Sequence, residues 1–166
     1  MSAWKTKRFW KTASASETDG GFTVTLDGRP VKTPAKRALV MPSAALARAV
    51  AVEWHAQEDE VKPQTMPVTR AVNAAIDKVT LQHTEVADLL AAYGDSELLC
   101  YRADSPEGLV ARQSEAWDPL LDWAEARFDT RLQTTVGVMT NAHDPRVISK
   151  LSTHVHAMAQ FNLTAF

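Results

Sequence analysis

Residues 20–57 read GGFTVTLDGRPVKTPAKRALVMPSAALARAVAVEWHAQ, and the spacing of their apolar residues changes from two to four along the segment. In residues 22–26 apolar side chains alternate with threonines, which predicts a β-strand with one buried face. Asp27-Gly28 is typical of a tight hairpin turn, so a second strand is expected at residues 29–33. Because Pro30 lacks an N–H donor, this second strand is predicted to be short or to lie at the edge of the sheet.

Two further strands are predicted near this hairpin. Residues 8–13 precede Gly20-Gly21 and form the first of them. Residues 38–41 follow Pro34 and form the second, because they are mostly apolar and short. We therefore expect a small antiparallel sheet of three or four strands.

The second half of the opening segment predicts a helix over residues 44–57. Ser43 precedes it and is a favourable N-cap residue. Leu46, Val50 and Trp54 recur at a spacing of four, which predicts one buried face that packs against the sheet. Replacing Trp54 by Ala is accordingly expected to cost about 3–5 kcal/mol as a cavity mutation.

An acidic stretch and a proline end this helix. Three acidic residues at 58–60 oppose the helix macrodipole, and the residue before Pro63 avoids helical backbone angles. We place a domain boundary near residue 62. The prediction is an N-terminal α/β sheet domain at residues 1–62 and a C-terminal helical domain at residues 63–166.

Beyond this boundary the apolar residues follow helical spacing. Residues 67–79 and 86–93 show it most clearly, and Gly94 is expected to end the second of these helices. Further helix starts are predicted at three pairs of an N-cap residue and a proline, namely Ser105-Pro106, Asp118-Pro119 and Asp144-Pro145. Alternatively, Pro119 kinks a single helix over residues 106–128. The last helix is expected to run to Phe166, so the fold class is α+β, a small antiparallel sheet with one helix followed by a helical bundle.

Composition limits the function classes. The 166 residues include one cysteine, Cys100, which excludes a disulfide framework and fits a reducing compartment. No apolar run approaches the roughly 20 residues of a membrane helix, so membrane insertion is not expected. Residues 1–37 carry eight Lys/Arg against three Asp/Glu, but these cations are scattered, so nucleic-acid binding is not expected either.

The sequence contains no pattern typical of a catalytic or cofactor site. His154 and His156 are two residues apart, which places them about 200° from each other on a helix and separates them as metal ligands. Glycine-rich phosphate loops are absent, and Cys100 lies in apolar sequence typical of a buried thiol. We expect a protein that is not an enzyme and binds no metal, nucleotide or other cofactor.

Tryptophan and arginine suggest a partner surface instead, because they are frequent in protein–protein hot spots. Trp123 lies off the apolar stripe of its helix, so it is expected to pack against another element or a partner. Other residues that lie off their stripes are expected to be spare for recognition. The partner-binding set is Arg70, Asn73, Asp77, Arg112 and Trp123.

Two long blocks of the chain resemble a known family. They are GRPVKTPAKRALVMPSAALARAVAVEWHAQEDEVKPQTMPVTRAVNAAID at residues 28–77 and AYGDSELLCYRADSPEGLVARQSEAWDPLLDWAEARF at residues 92–128. In these blocks Tyr101-Arg102, Arg112-Gln113 and WDPLLDW look typical of the assembly chaperones that hold the alpha subunit of the F-type ATP synthase. The resemblance extends from about residue 8 to the end of the chain.

This resemblance implies an N-terminal α/β domain, an orthogonal helical bundle and a chaperone that binds the unassembled alpha subunit and prevents its aggregation. It implies a monomer located in the bacterial cytoplasm, or in the mitochondrial matrix of a eukaryote. Family members continue beyond FNLTA at residues 161–165, so the chain is expected to be truncated at its C-terminus. The alternatives are an α+β interaction module with another client and a small enzyme with an unrecognised site.

Overall fold

A computed structural model describes residues 7–139 and 142–166. The chain forms two compact units, one that extends to Gln82 and includes Ala159–Phe166, and a second of residues His83–Met158. In chain order the elements are β1 (Ala13–Thr18), β2 (Gly21–Leu26), β3 (Arg29–Pro30), α1 (Ala44–His55), α2 (Pro67–Ala74), α3 (His83–Ala91), β4 (Tyr101–Arg102), α4 (Glu107–Phe128), β5 (Thr135–Val136), α5 (Pro145–His156) and α6 (Gln160–Ala165). The α+β prediction is confirmed. Among the helices of the described residues, none is long and apolar enough to cross a membrane.

The sheet of the first unit is antiparallel with the order β1-β2-β3. The predicted hairpin turn is confirmed, because Asp27 and Gly28 adopt φ of 48° and 83° between β2 and β3. The predicted strand at residues 8–13 is wrong. The backbone N–H groups of Lys11 and Thr12 donate to the Asp27 carboxylate, at distances down to 2.8 Å, and not to a neighbouring strand. The Thr12 and Lys11 donors also lower the pKa of Asp27.

Residues 38–41 do not form the predicted fourth strand. Met41 exchanges two backbone hydrogen bonds of 2.9 and 2.7 Å with Phe22 and makes only an isolated bridge to β2. This close approach requires Gly21, since a Cβ built there lies 2.3 Å from the Met41 carbonyl oxygen. The β3 strand is limited to Arg29–Pro30, in agreement with the expectation of a short strand at the edge.

Helix α1 covers the sheet as predicted. The Ser43 hydroxyl accepts a hydrogen bond from the Leu46 N–H at 3.3 Å, which confirms the predicted cap. Val50 is fully buried, and Leu46 and Trp54 are half-buried against the same core. The buried core of this unit consists of Trp10, Val24, Leu26, Val31, Leu39, Met41, Ala47, Val50, Ala51 and Val72.

The predicted domain boundary near residue 62 falls inside the first unit, because α2 contributes Val72 to the core beneath the sheet. Division of the chain at that residue stays a prediction. Helix α2 continues as a π-helical turn over Ala75–Val79, against which α6 packs. The predicted continuous last helix is wrong, since Ala159 is extended (φ −65°, ψ 155°) and separates α5 from α6.

In the second unit, α4 is one helix of 22 residues with Pro119 inside it, so the single-helix alternative is correct. Gly94 does not end α3, because it lies in a 3-10 turn at Ala92–Ser96 and has no positive φ. Asp144 caps α5 as predicted, and the Arg146 side chain and backbone N–H lower the pKa of Asp144 to about 2. A small core surrounds Cys100, Leu121 and Leu132, and burial raises the pKa of the Cys100 thiol.

Candidate functional site

Exposed apolar side chains are concentrated in the second unit. Isolated exposed apolar residues are ordinary on a protein surface, whereas groups of them mark interaction sites. Within the described residues of His83–Met158, the large exposed apolar side chains are Leu89, Tyr93, Leu98, Leu120, Trp123, Val136, Val138 and Met139. This unit therefore offers apolar surface that its own core does not cover.

Trp123 is the largest of these side chains and is 60% exposed. Leu121 points into the small core, and two residues along a helix correspond to about 200°, so Trp123 lies on the opposite side of α4. Its ring packs edge-on against Phe128, with a centroid distance of 5.5 Å and an interplanar angle of 86°. The Phe128 ring in turn lies 4.8 Å from that of His154 on α5. We call Trp123, Phe128 and His154 the aromatic cluster.

Several charged groups near the aromatic cluster are paired with one another. Arg131 donates to Asp122 at 2.9 Å and to Glu125 at 2.6 Å, and the Glu125 bond, followed by the Asp122 bond, raises the pKa of Arg131. Lys150 donates to the Asp129 carboxylate at 2.7 Å and lowers its pKa. The Arg127 guanidinium lies 5.5 Å from the centroid of the Phe128 ring.

Arg112 shares a side of α4 with Trp123. The two residues are eleven positions apart, which is close to three helical turns and about 16 Å along an ideal axis. Arg112 is exposed, and its Nε donates to the Gly108 carbonyl at 3.2 Å. Leu120, one turn before Trp123, is 49% exposed. The structure therefore brings two members of the predicted partner set onto one face of this helix.

The other predicted residues lie in the first unit, on α2 and the π-helical turn. Arg70 is exposed and Asn73 is half-buried one turn further on. Asp77 is not spare for recognition, which corrects the sequence-based expectation. Its carboxylate accepts from the Thr33 hydroxyl at 2.6 Å and from the Ala35 N–H at 3.0 Å.

Glu53 is a structural residue that the sequence does not predict. The Glu53 carboxylate accepts from the N–H groups of Val68 and Thr69 at 2.8 and 2.7 Å, and from the Thr69 hydroxyl at 2.7 Å. It therefore caps α2 from a different helix. A glutamate fifteen residues before the first N–H group that it binds in α2 carries no local signal of that role.

Among the described residues there is no group of three His, Cys, Asp or Glu side chains that could hold a metal ion. Of the histidines, His156 lies 3.0 Å from the Asp88 carboxylate, and His83 bonds the Met158 carbonyl at 2.7 Å. Both contacts are structural pairings rather than arrangements of a nucleophile and a base.

Comparison with known proteins gives consistent matches. The family model described as ATP12 chaperone protein matches residues 7–125. The crystal structure of Atp12 from Paracoccus denitrificans is 45% identical, with 98% of this chain and 70% of that chain covered and a TM-score of 0.92. The D202K mutant of P. denitrificans Atp12p is 46% identical, with 99% of this chain and 70% of that chain covered and a TM-score of 0.93. The mitochondrial protein atp12 of Schizosaccharomyces pombe is 25% identical over 96% of this chain, which spans 59% of that protein's length.

Proposed function

Because the chain belongs to the ATP12 chaperone protein family, we propose that it is an assembly chaperone for the catalytic head of the F-type ATP synthase. Its client is the unassembled alpha subunit, which it binds and protects from aggregation. The role is stoichiometric binding and not catalysis. It is exercised in the bacterial cytoplasm, or in the mitochondrial matrix of a eukaryote.

The observation that carries this proposal is the aromatic cluster of α4 and α5, with Trp123 exposed. An unassembled subunit of a ring-shaped complex exposes the apolar patches that later form its subunit interfaces. A chaperone that covers these patches must itself present apolar surface. Trp123 supplies such surface at 60% exposure, and its edge-on contact with Phe128 limits the freedom of its ring. An aromatic side chain held in this way loses little entropy when it binds.

We assign the client contacts in the second unit to Trp123 and Arg112, which lie on one side of α4. In the first unit we assign them to Arg70 and Asn73 on α2. Asp77 acts indirectly, because its hydrogen bonds hold the segment of Thr33 and Ala35. A charge reversal at Asp77 is therefore expected to lower the melting temperature as well as any affinity.

Trp123→Ala is expected to weaken alpha-subunit binding by about 30-fold, which corresponds to about 2 kcal/mol for a hot-spot tryptophan. The melting temperature should change little, since the ring is largely outside the core. The measurement is biolayer interferometry with the immobilised chain and purified alpha subunit, accompanied by thermal unfolding of each variant.

Phe9→Ala is the matched control, because Phe9 is 65% exposed and belongs to the first unit. It is expected to bind the alpha subunit as the original chain does. Equal binding by all three proteins would exclude the aromatic cluster from the client site. An equal loss in both variants would show a general effect of removing exposed aromatic surface.

A further inference from the structure

The segment between Asp27 and Glu53 contains cations but no acidic residue. Its cations are Arg29, Lys32, Lys36, Arg37 and Arg48. Both flanking carboxylates have other partners, since Asp27 accepts from Lys11 and Thr12 and Glu53 accepts from Val68 and Thr69. The positive charge of this segment is therefore not neutralised by its neighbours in sequence.

Hydrogen bonds hold part of this segment against the π-helical turn. The Asp77 carboxylate binds the Thr33 hydroxyl and the Ala35 N–H, and the Arg37 guanidinium donates to the Ile76 carbonyl at 3.0 Å. Lys32 pairs with Ala38 in an isolated antiparallel bridge, and Lys36 and Arg37 lie in the turn between these two residues.

These contacts define a basic surface, which consists of Lys32, Lys36 and Arg37. Lys32 and Lys36 are exposed, and within residues 7–139 and 142–166 their side chains form no ion pair or hydrogen bond. Asp77 offsets one of the three positive charges. The exposed positive charge is therefore that of Lys32 and Lys36, since Arg37 is half-buried and donates to the Ile76 carbonyl.

Lys36 occupies a backbone conformation that disfavours it. Its φ is 63°, in the left-handed region where the Cβ of an L-residue is crowded and where glycine or asparagine is preferred. The turn is closed by a bond of 2.8 Å from the Lys36 N–H to the Thr33 carbonyl. A cation therefore occupies the tip of this turn, although glycine or asparagine would adopt this backbone conformation with less strain.

We propose that the basic surface binds an acidic polypeptide segment, which belongs to the client if the proposed function is correct. Lysines on a fixed loop attract carboxylates at long range and raise the association rate more than the affinity. A polypeptide fits better than nucleic acid, because no aromatic residue occurs between Phe22 and Trp54 to stack on bases.

The test uses the full chain and a short fluorescein-labelled peptide of alternating Glu and Ser, and it needs no alpha subunit. Fluorescence anisotropy is measured at about 0.05 M and about 0.5 M salt, where screening of exposed charges differs strongly. Lys36→Glu is expected to weaken peptide binding about tenfold at low salt, and Lys36→Gly about threefold. For all variants that bind, high salt is expected to remove most of the affinity.

Lys62→Glu is the matched control, because Lys62 is exposed and lies in the same unit, and because this substitution changes the net charge as much as Lys36→Glu does. It is expected to leave peptide binding within twofold. Lys36→Gly should also keep or raise the melting temperature, since glycine relieves the strained φ. Loss of binding with an unchanged or higher melting temperature separates a recognition role from a structural one.

Equal peptide binding by the original chain, Lys36→Glu and Lys62→Glu would overturn the proposal. Preferential binding of a dT oligonucleotide of similar length would overturn it in favour of nucleic acid. Peptide binding that depends on Lys36 supports it, even when the alpha subunit is not captured. In that case the proposed client is wrong and the acidic ligand belongs to another protein.

Discussion

Replacing Trp10 by Ala is expected to lower the free energy of unfolding by about 3–5 kcal/mol. Trp10 is 3% exposed and packs edge-on against Trp54, with a centroid distance of 5.2 Å. Its Nε1 donates to the Trp54 carbonyl at 3.3 Å, and the Arg8 guanidinium lies 5.7 Å from its ring. The substitution therefore removes the aromatic packing that joins the N-terminal segment to α1 and leaves a cavity beside it.

Chemical denaturation of each variant measures this loss. Trp54→Ala is now expected to cost less than Trp10→Ala, about 2–3 kcal/mol, because Trp54 is only half-buried. The double variant should show a coupling of about 0.5–1.5 kcal/mol, as for other aromatic pairs. Trp123→Ala is the control with an exposed ring. A Trp10→Ala loss as small as that of this control would mean that Trp10 does not contribute to the core.

Glu53→Ala is expected to cost about 2–4 kcal/mol, since it removes a charged acceptor from three donors. Two of these donors are the first N–H groups of α2, where a carboxylate also interacts favourably with the helix dipole. Met66, which precedes α2, provides no side-chain cap. The Val68 and Thr69 donors would therefore lose their partner in a partly buried position.

Two control variants distinguish the effect of losing the hydrogen bonds of Glu53 from the effect of losing its charge. Glu53→Gln keeps one oxygen acceptor and is expected to lose about half as much stability. Glu58→Ala removes an exposed carboxylate just after α1 and is expected to have little effect. The measurement is again chemical denaturation. Equal stability of Glu53→Ala and Glu58→Ala would contradict a capping role for Glu53.

The elements that the sequence predicted correctly have local causes. The alternation in β2, the Asp27-Gly28 turn, the Ser43 cap of α1 and the Asp144 cap of α5 each depend on residues within a few positions. Strand β1 has the sequence ASASET and lacks a strong apolar pattern, so its position was not predicted. It forms there because β2 offers a complete antiparallel partner and Asp27 binds the preceding segment.

In the candidate site, too, features with a local cause are predictable from the sequence and features that depend on distant residues are not. The position of Trp123 outside the core was predicted from its departure from the apolar stripe of α4, which is a local signal. The sequence predicts Asp77 to be spare for recognition, because its partners, Thr33 and Ala35, lie more than forty residues away and give no sign in the neighbouring sequence. The burial of Trp10 likewise depends on α1, which lies far along the chain.

Capture of the alpha subunit by the original chain tests the central proposal most directly. The tagged chain is incubated separately with freshly diluted alpha and beta subunits of the F-type ATP synthase from the same organism, and light scattering is followed before affinity capture. We predict that the chain suppresses scattering by the alpha subunit at stoichiometric concentration, without nucleotide, and retains alpha but not beta. Failure to retain the alpha subunit, or equal retention of both subunits, would contradict the proposal.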